Sequence, residues 1–362
     1  MNVLLFMPGT LGDTMVCLPA LRALSRHYGP QTKFIVLHER WPHIKYGPQD
    51  ILETAFMPVS FLSYPFMESI WGKLVSYTSL LREIRKRRFN AVVNLTISSR
   101  PRLAILRDRL FFGMAQISSL IGFHNLPNSL LVSKNASNRP VAWMHEAIAR
   151  LKRLEEDGVD TSIDSNLEQV FWDIPTFLAD RARIWLVENR VPLNRPLIAI
   201  APGCKQSANQ WPLERFEIMG QMILERYPVG LVVVGGSAET EVGRLLVGRW
   251  GAAINAAGAL SVVETAGLIS LCRFVIGLDT GTIHIAGAIG TPCVAIYGCR
   301  NLSGRWLPLG KGHRIIKVNV PCEGCGYVDC PLPTHLCMKN IHVDMVLKEV
   351  TEMCIDVGIK QR

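Results

Sequence analysis

Residues 276–298 place the tightest constraint on the fold of this chain. Phe274–Leu278 is a short apolar run suited to a buried strand, and Asp279-Thr280-Gly281 follows it at once. Ile283, Ala286 and Ile289 then recur at helical spacing up to Gly290-Thr291-Pro292, and Cys293–Tyr297 is a second apolar run. Strand, helix and strand in so short a span make a βαβ unit, and hence a parallel sheet. The polar residues stand where the first strand becomes the helix. Free N–H groups and the helix dipole favour an anion there, and Gly281 lets a ligand approach the backbone. His284 lies four residues after Thr280, so both project from about one face of the first turn. A diphosphate fits such a turn. The same residues also describe an ordinary N-cap followed by a core histidine.

A chain of 362 residues is long enough for two domains, each with its own core. With 49% hydrophobic and 19% charged residues, a disordered chain is excluded. No apolar run reaches the roughly 18–20 residues needed to span a bilayer. Met1–Gly9 lacks a basic leader and reads as a first strand, which predicts a cytoplasmic protein. The formal charge is +9, with clusters at Arg82, Arg85, Lys86, Arg87 and Arg88, and at Arg100, Arg102, Arg107 and Arg109. Such patches suit anionic lipid or sugar phosphate, although a solvated helix face also accounts for them. Aromatic residues do not interleave with these charges, so no nucleic-acid partner is predicted.

Val3–Met7 reads as a strand, Pro8–Asp13 as a Gly-containing turn, the stretch to Tyr28 as a helix and Lys33–His38 as a strand. That is the opening of a doubly wound sheet. The turn has neither the third glycine of a dinucleotide fingerprint nor the Gly-Lys-Ser/Thr of a P-loop. A helix is predicted over residues 67–88 and a strand over Ala91–Leu95. Residues 96–120 show no clean period, and residues 124–142 read as loop. Prolines at 192 and 196 follow a helix at 175–190, and Leu197–Ala201 opens a second α/β unit. The expectation is an α/β protein of two Rossmann-like doubly wound domains facing a cleft. They would comprise residues 1–178 and 179–362, with the last helix a candidate to return to the first domain.

Taken together, these motifs resemble glycosyltransferase family 9, which contains the ADP-heptose:lipopolysaccharide heptosyltransferases. Gly9-Thr10-Leu11-Gly12-Asp13 followed by Leu18-Pro19-Ala20-Leu21 is similar to its first signature. Ala201-Pro202-Gly203 with Trp211-Pro212-Leu213-Glu214-Arg215-Phe216 is similar to its second. Asp279-Thr280-Gly281, His284-Ile285-Ala286 and Gly290-Thr291-Pro292 are similar to its third. The resemblance implies a GT-B fold and inverting sugar transfer without a catalytic metal. It gives Asp13 the role of general base, where the residues alone favour a helix cap. It matches Asp279, Thr280, Gly281, His284 and Glu239 to donor contacts; Gly203 and Lys205 are further donor candidates, and Thr10, Gly12, Arg100 and Arg102 are acceptor candidates. One departure stands out: many members have a lysine two residues before Trp-Pro, and Asn209 stands there instead. Lys205 is the candidate substitute.

Of the ten cysteines, Cys17, Cys272, Cys293 and Cys354 sit in apolar segments and read as small hydrophobes. Cys322, Cys325, Cys330 and Cys337 form a compact cluster whose spacing suits a structural Zn or Fe site, with His335 as a spare ligand. Packed reduced thiols are the alternative; disulfides are disfavoured in a reducing compartment. A similar cluster recurs in many family members.

The function expected is transfer of heptose, or a related sugar, from a nucleotide diphosphate sugar to a lipopolysaccharide-type acceptor. Peripheral contact with anionic membrane at the inner face of the cytoplasmic membrane goes with it. Competing readings are transfer to another glycan or a protein, a GT-B-fold nucleotide-sugar epimerase, and a non-enzymatic thiolate-metal protein that binds polyanions.

Overall fold

A computed structural model describes residues 1–40, 46–55, 59–67 and 69–362. The chain divides into two compact units, Met1–Leu167 and Glu168–Arg362. Residue 68, within the helix predicted over 67–88, lies outside the described residues.

The first unit runs β1 (Asn2–Phe6), α1 (Leu11–Met15), α2 (Leu18–Tyr28), β2 (Lys33–Arg40), α3 (Gln49–Ala55), β3 (Val59–Pro65) and α4 (Ile70–Arg87). It continues with β4 (Ala91–Asn94), α5 (Arg102–Met114), β5 (Ser119–Ile121), α6 (Asn128–Leu131), β6 (Val132–Lys134), β7 (Pro140–Trp143) and α7 (Glu146–Glu156). Its main sheet has the order β3-β2-β1-β4-β5 and is parallel throughout, with Leu4 opposite both Ile35 and Val92.

The second unit contains α8 (Thr176–Glu188), β8 (Leu197–Ala201), α9 (Leu213–Arg226), β9 (Gly230–Val233), α10 (Thr240–Trp250), β10 (Ala253–Asn255) and α11 (Val262–Ser270). β11 (Phe274–Leu278), α12 (Gly281–Ala288), β12 (Cys293–Ile296), β13 (Arg314–Ile316), α13 (Leu336–Lys339) and α14 (Val343–Asp356) follow. Its sheet order is β10-β9-β8-β11-β12-β13, also parallel.

The inner strands are buried on both faces, as helices on either side of a parallel sheet require. Ile198, Ala199, Ile200, Val275 and Ile276 are wholly buried. Both sheets reverse direction beside their first strand, between β1 and β4 and between β8 and β11. Open α/β sheets hold ligands beyond the strand ends at such a reversal.

The sequence reading differs from the structure in three places. Residues 96–120 hold α5 and β5, and the predicted 124–142 loop holds α6 and the antiparallel β6–β7 pair. The units part at Leu167 rather than at 178, because the backbone N–H groups of Phe171 and Trp172 both donate to Ala288 O. The last helix, a candidate to return to the first unit, contributes Val346, Leu347, Val350 and Met353 to the core of the second.

Candidate active site

Three turns at the carboxyl end of the second sheet build one pocket. Gly203 and Lys205 follow β8, Gly236 and Glu239 follow β9, and Thr280 and Thr282 follow β11; together they line a cavity of about 100 Å³. Glycine is required at 203, since a Cβ there would lie 2.2 Å from Glu239 Cγ. Glu239 thus folds across the turn and accepts a 2.8 Å hydrogen bond from Gly236 N. Lys205 is exposed, and its ammonium has no ion pair or hydrogen bond among the described residues. Burial pushes the Cys204 thiol up to about 11, so it offers the pocket a neutral S–H. Thr280, extended at φ −146°, caps α12, and the first N–H groups of that helix have no intrahelical acceptor.

Asp279, Gly281 and His284 do not line this pocket. His284 is 5% exposed, with Nε2 3.7 Å from Asp279 Oδ1. Asn209 Nδ2 donates to Asp279 Oδ2 at 3.3 Å, while buried Asn209 Oδ1 has no partner. The residue at the family's lysine position therefore serves to hold a carboxylate. No spacing rule could have shown this, because the two partners are 70 residues apart.

In the first unit, Asp13 lies in the first turn of α1, just beyond β1. Its Oδ2 accepts from Thr10 N at 2.9 Å and Thr10 Oγ1 at 3.0 Å. Oδ1 has no partner among the described residues, and the residue is only half-buried. The capping reading and the base reading thus describe two different oxygens of one carboxylate. Gly12 lies in the same turn. Arg100 is committed to Asp108, through Nε at 2.9 Å and Nη2 at 2.6 Å, and lies over the Phe6 ring. Arg102 is exposed at the start of α5. Beneath this end of the sheet is a buried polar group that the sequence reading missed. Glu146 accepts from Ser98 N and Oγ, Arg150 Nε donates to Leu95 O, and Arg153 Nη2 donates to Thr96 O.

The profile of glycosyltransferase family 9 (heptosyltransferase) matches residues 77–335, which is more than half of the chain. The chain belongs to glycosyltransferase family 9. Its relatives include lipopolysaccharide heptosyltransferase 2 of Escherichia coli, 31% identical over 44% of this chain and 47% of the relative. Lipooligosaccharide heptosyltransferase 2 of Campylobacter jejuni is 21% identical over 98% of this chain and 99% of the relative. In the Salmonella typhimurium and E. coli alignments the chain spans about half the relative's length. The solved E. coli ADP-heptose LPS heptosyltransferase II superposes with a TM-score of 0.66 at 20% identity, covering 98% of this chain and 99% of that one. A family 9 protein from Veillonella parvula gives 0.71 at 17% identity, covering 98% and 97%. These likenesses establish the GT-B fold.

The late cysteines of this family 9 chain, expected from their spacing to suit a metal, are free thiols. No group of three or more metal-ligating side chains gathers among the described residues. Cys322 and Cys325 are exposed and Cys330 half-buried, whereas Cys337 is buried. Cys299 Sγ donates to Val318 O at 3.0 Å, and its interaction with Cys337 pulls the Cys337 thiol down and pushes Cys299 up. The spacing argument overlooked Cys299 because it stands outside the cluster in sequence. His335, the spare ligand, contacts Ala208 O at 2.9 Å through Nε2.

Proposed function

We propose that this chain transfers heptose from ADP-heptose to a lipopolysaccharide-core acceptor, with inversion at the anomeric carbon and without a catalytic metal. The observation that carries this reading is the meeting of Gly203, Lys205, Glu239 and Thr280, from three separate turns, in one pocket at a sheet reversal. Heptosyltransferase relatives support the sugar, and the E. coli ADP-heptose enzyme supports the nucleotide.

In this mechanism Glu239 accepts ribose hydroxyls, and the diphosphate lies against the first N–H groups of α12 with Lys205 beside it. Asp13 Oδ1 takes the proton of the acceptor hydroxyl while Oδ2 stays fixed by Thr10. The acceptor oxygen bonds to the anomeric carbon as the carbon–diphosphate bond breaks, and the electron pair leaves with the diphosphate. Attack opposite the leaving group inverts the configuration. The sequence has no Asp-x-Asp motif to hold a divalent ion. The developing charge is therefore met by Lys205 and by oriented N–H groups. A lipid-linked acceptor places the reaction at the inner face of the cytoplasmic membrane.

The test is calorimetric titration with ADP-heptose, ADP-glucose and UDP-glucose, followed by a transfer assay that resolves the anomer formed. ADP-heptose should bind most tightly and yield the inverted linkage. A preference for a uridine donor, or a retained linkage, overturns the proposal.

A further inference from the structure

The outer faces of α4 and α5 are apolar and uncovered. α5 turns Ile105, Asp108 and Phe112 inward. Leu103, Leu106, Leu110 and Met114 form a second stripe on the opposite side; Leu103 is 81% exposed and the other three are each more than half exposed. A helix that is apolar on two opposed faces has two partners, and only the inner one is present here. α4 repeats the pattern: Leu80 and Ile84 are buried, while Trp71 is 77% and Val75 66% exposed, with Leu74 beside them. The helices lie side by side, with Tyr77 and Phe111 rings 5.9 Å apart and Arg85 Nε donating to Met114 O at 2.9 Å.

The charge around this face is of one sign. Arg82 and Lys86 continue the outer side of α4, and Arg102 and Arg109 flank the stripe of α5; all four are exposed. The described acidic residues of these helices are already neutralised: Glu83 pairs with Arg87, and buried Asp108 pairs with Arg100 and Arg107. A second copy of the chain would set this basic rim against itself. An anionic bilayer complements it in both respects, taking the apolar side chains into the interface and the cations among its headgroups. The helices begin at the carboxyl ends of β3 and β4, the sheet edge from which the Pro8–Asp13 turn leaves β1.

We propose that the outer face of α4 and α5 docks this protein on an anionic lipid surface. Trp71, Leu103 and Leu106 enter the interface, and lipid-anchored acceptors are presented at the edge that carries Asp13. Only this last consequence rests on the transferase reading.

The test is co-sedimentation of the full chain with vesicles of phosphatidylcholine plus phosphatidylglycerol, and with phosphatidylcholine alone. Wild type should bind the mixed vesicles, and added salt should weaken binding. Leu106→Asp with Leu110→Asp should reduce binding tenfold or more, as should Arg82→Glu with Lys86→Glu, at roughly fivefold per cation. Transfer to a water-soluble acceptor should be unchanged in both variants. Vesicle binding equal to wild type in both variants overturns the proposal. So does a dimer that the leucine variant dissociates while vesicle binding persists, since a second copy then covers this face. Failure of wild type to transfer to any soluble acceptor defeats the transferase reading and leaves the docking result to stand or fall on the vesicles.

Discussion

Asp13 and Asp279 both lie beyond the carboxyl end of a central parallel strand, Asp13 in the first turn of α1 after β1 and Asp279 directly after β11. Their carboxylates are held very differently. Asp13 accepts both its hydrogen bonds through Oδ2, from Thr10 alone, and its Oδ1 has no partner among the described residues on a half-buried side chain. Asp279 is 12% exposed; its Oδ2 accepts from Asn209 Nδ2 at 3.3 Å, and His284 Nε2 lies 3.7 Å from its Oδ1. A base needs one oriented oxygen and one free oxygen, whereas a scaffold needs both engaged. On the proposed mechanism the same residue type serves as proton acceptor in one unit and as part of the framework in the other.

The largest effect should come from Asp13. We expect Asp13→Asn to lower the transfer rate by about 10²-fold or more and to leave donor affinity unchanged. Asp279→Asn should act mainly on thermal stability and change turnover much less, because that carboxylate does not line the pocket. Pre-steady-state rates and calorimetry on the two variants check the contrast. Equal loss of turnover in both would erase the distinction drawn from their hydrogen bonds.

Lys205 comes next. The leaving diphosphate gains charge as its bond to the sugar breaks, so an ammonium beside it contributes more in the transition state than in the bound donor. Lys205→Ala should cut kcat roughly tenfold or more and weaken donor binding by less. Loss confined to donor affinity would make Lys205 a ground-state contact only.

What the sequence revealed, and what it hid, follows the same division. β11, α12 and β12 were legible because apolar runs and Gly290-Thr291-Pro292 mark their ends within a few residues. The pocket residues were legible because each directly follows such a strand. α5 was obscured because Leu103, Leu106, Leu110 and Met114 oppose Ile105 and Phe112, which leaves no single apolar stripe to read. The burial of His284 was one of two readings open in the sequence, but its approach to Asp279 was hidden for another reason. Helical spacing placed it on the face of Thr280, but packing against the Trp306 ring, 6.5 Å away, decides what it meets. The Cys299–Cys337 and Asn209–Asp279 pairs are long-range contacts, which local pattern does not encode.

Gly203→Ala should come third. The added Cβ meets Glu239 Cγ at 2.2 Å, so Glu239 must leave Gly236 N. Losing one well-placed hydrogen bond to a carboxylate is worth about tenfold in donor Kd. Glu239→Gln at an unchanged Gly203 separates position from charge, and calorimetry with the nucleoside diphosphate alone gives the readout.

The smallest effect tests how firmly the second carboxylate is committed. If the family's lysine were simply missing, Asn209→Lys in a Lys205→Ala background would restore most of the lost rate. The geometry argues otherwise. Position 209 is 1% exposed and its side chain already meets Asp279 Oδ2 at 3.3 Å. Gly298 is packed so closely that a Cβ there would lie 2.5 Å from Asn209 Oδ1. A lysine introduced here is held in a confined site beside a buried carboxylate, so its charge is spent on Asp279 rather than on the diphosphate. Rescue should therefore be about threefold or less, rising only when Asp279→Asn is added and the ammonium is released. Full rescue by Asn209→Lys alone would mean that Asp279 yields its partner readily, and that the locked carboxylate is as free to act as Asp13.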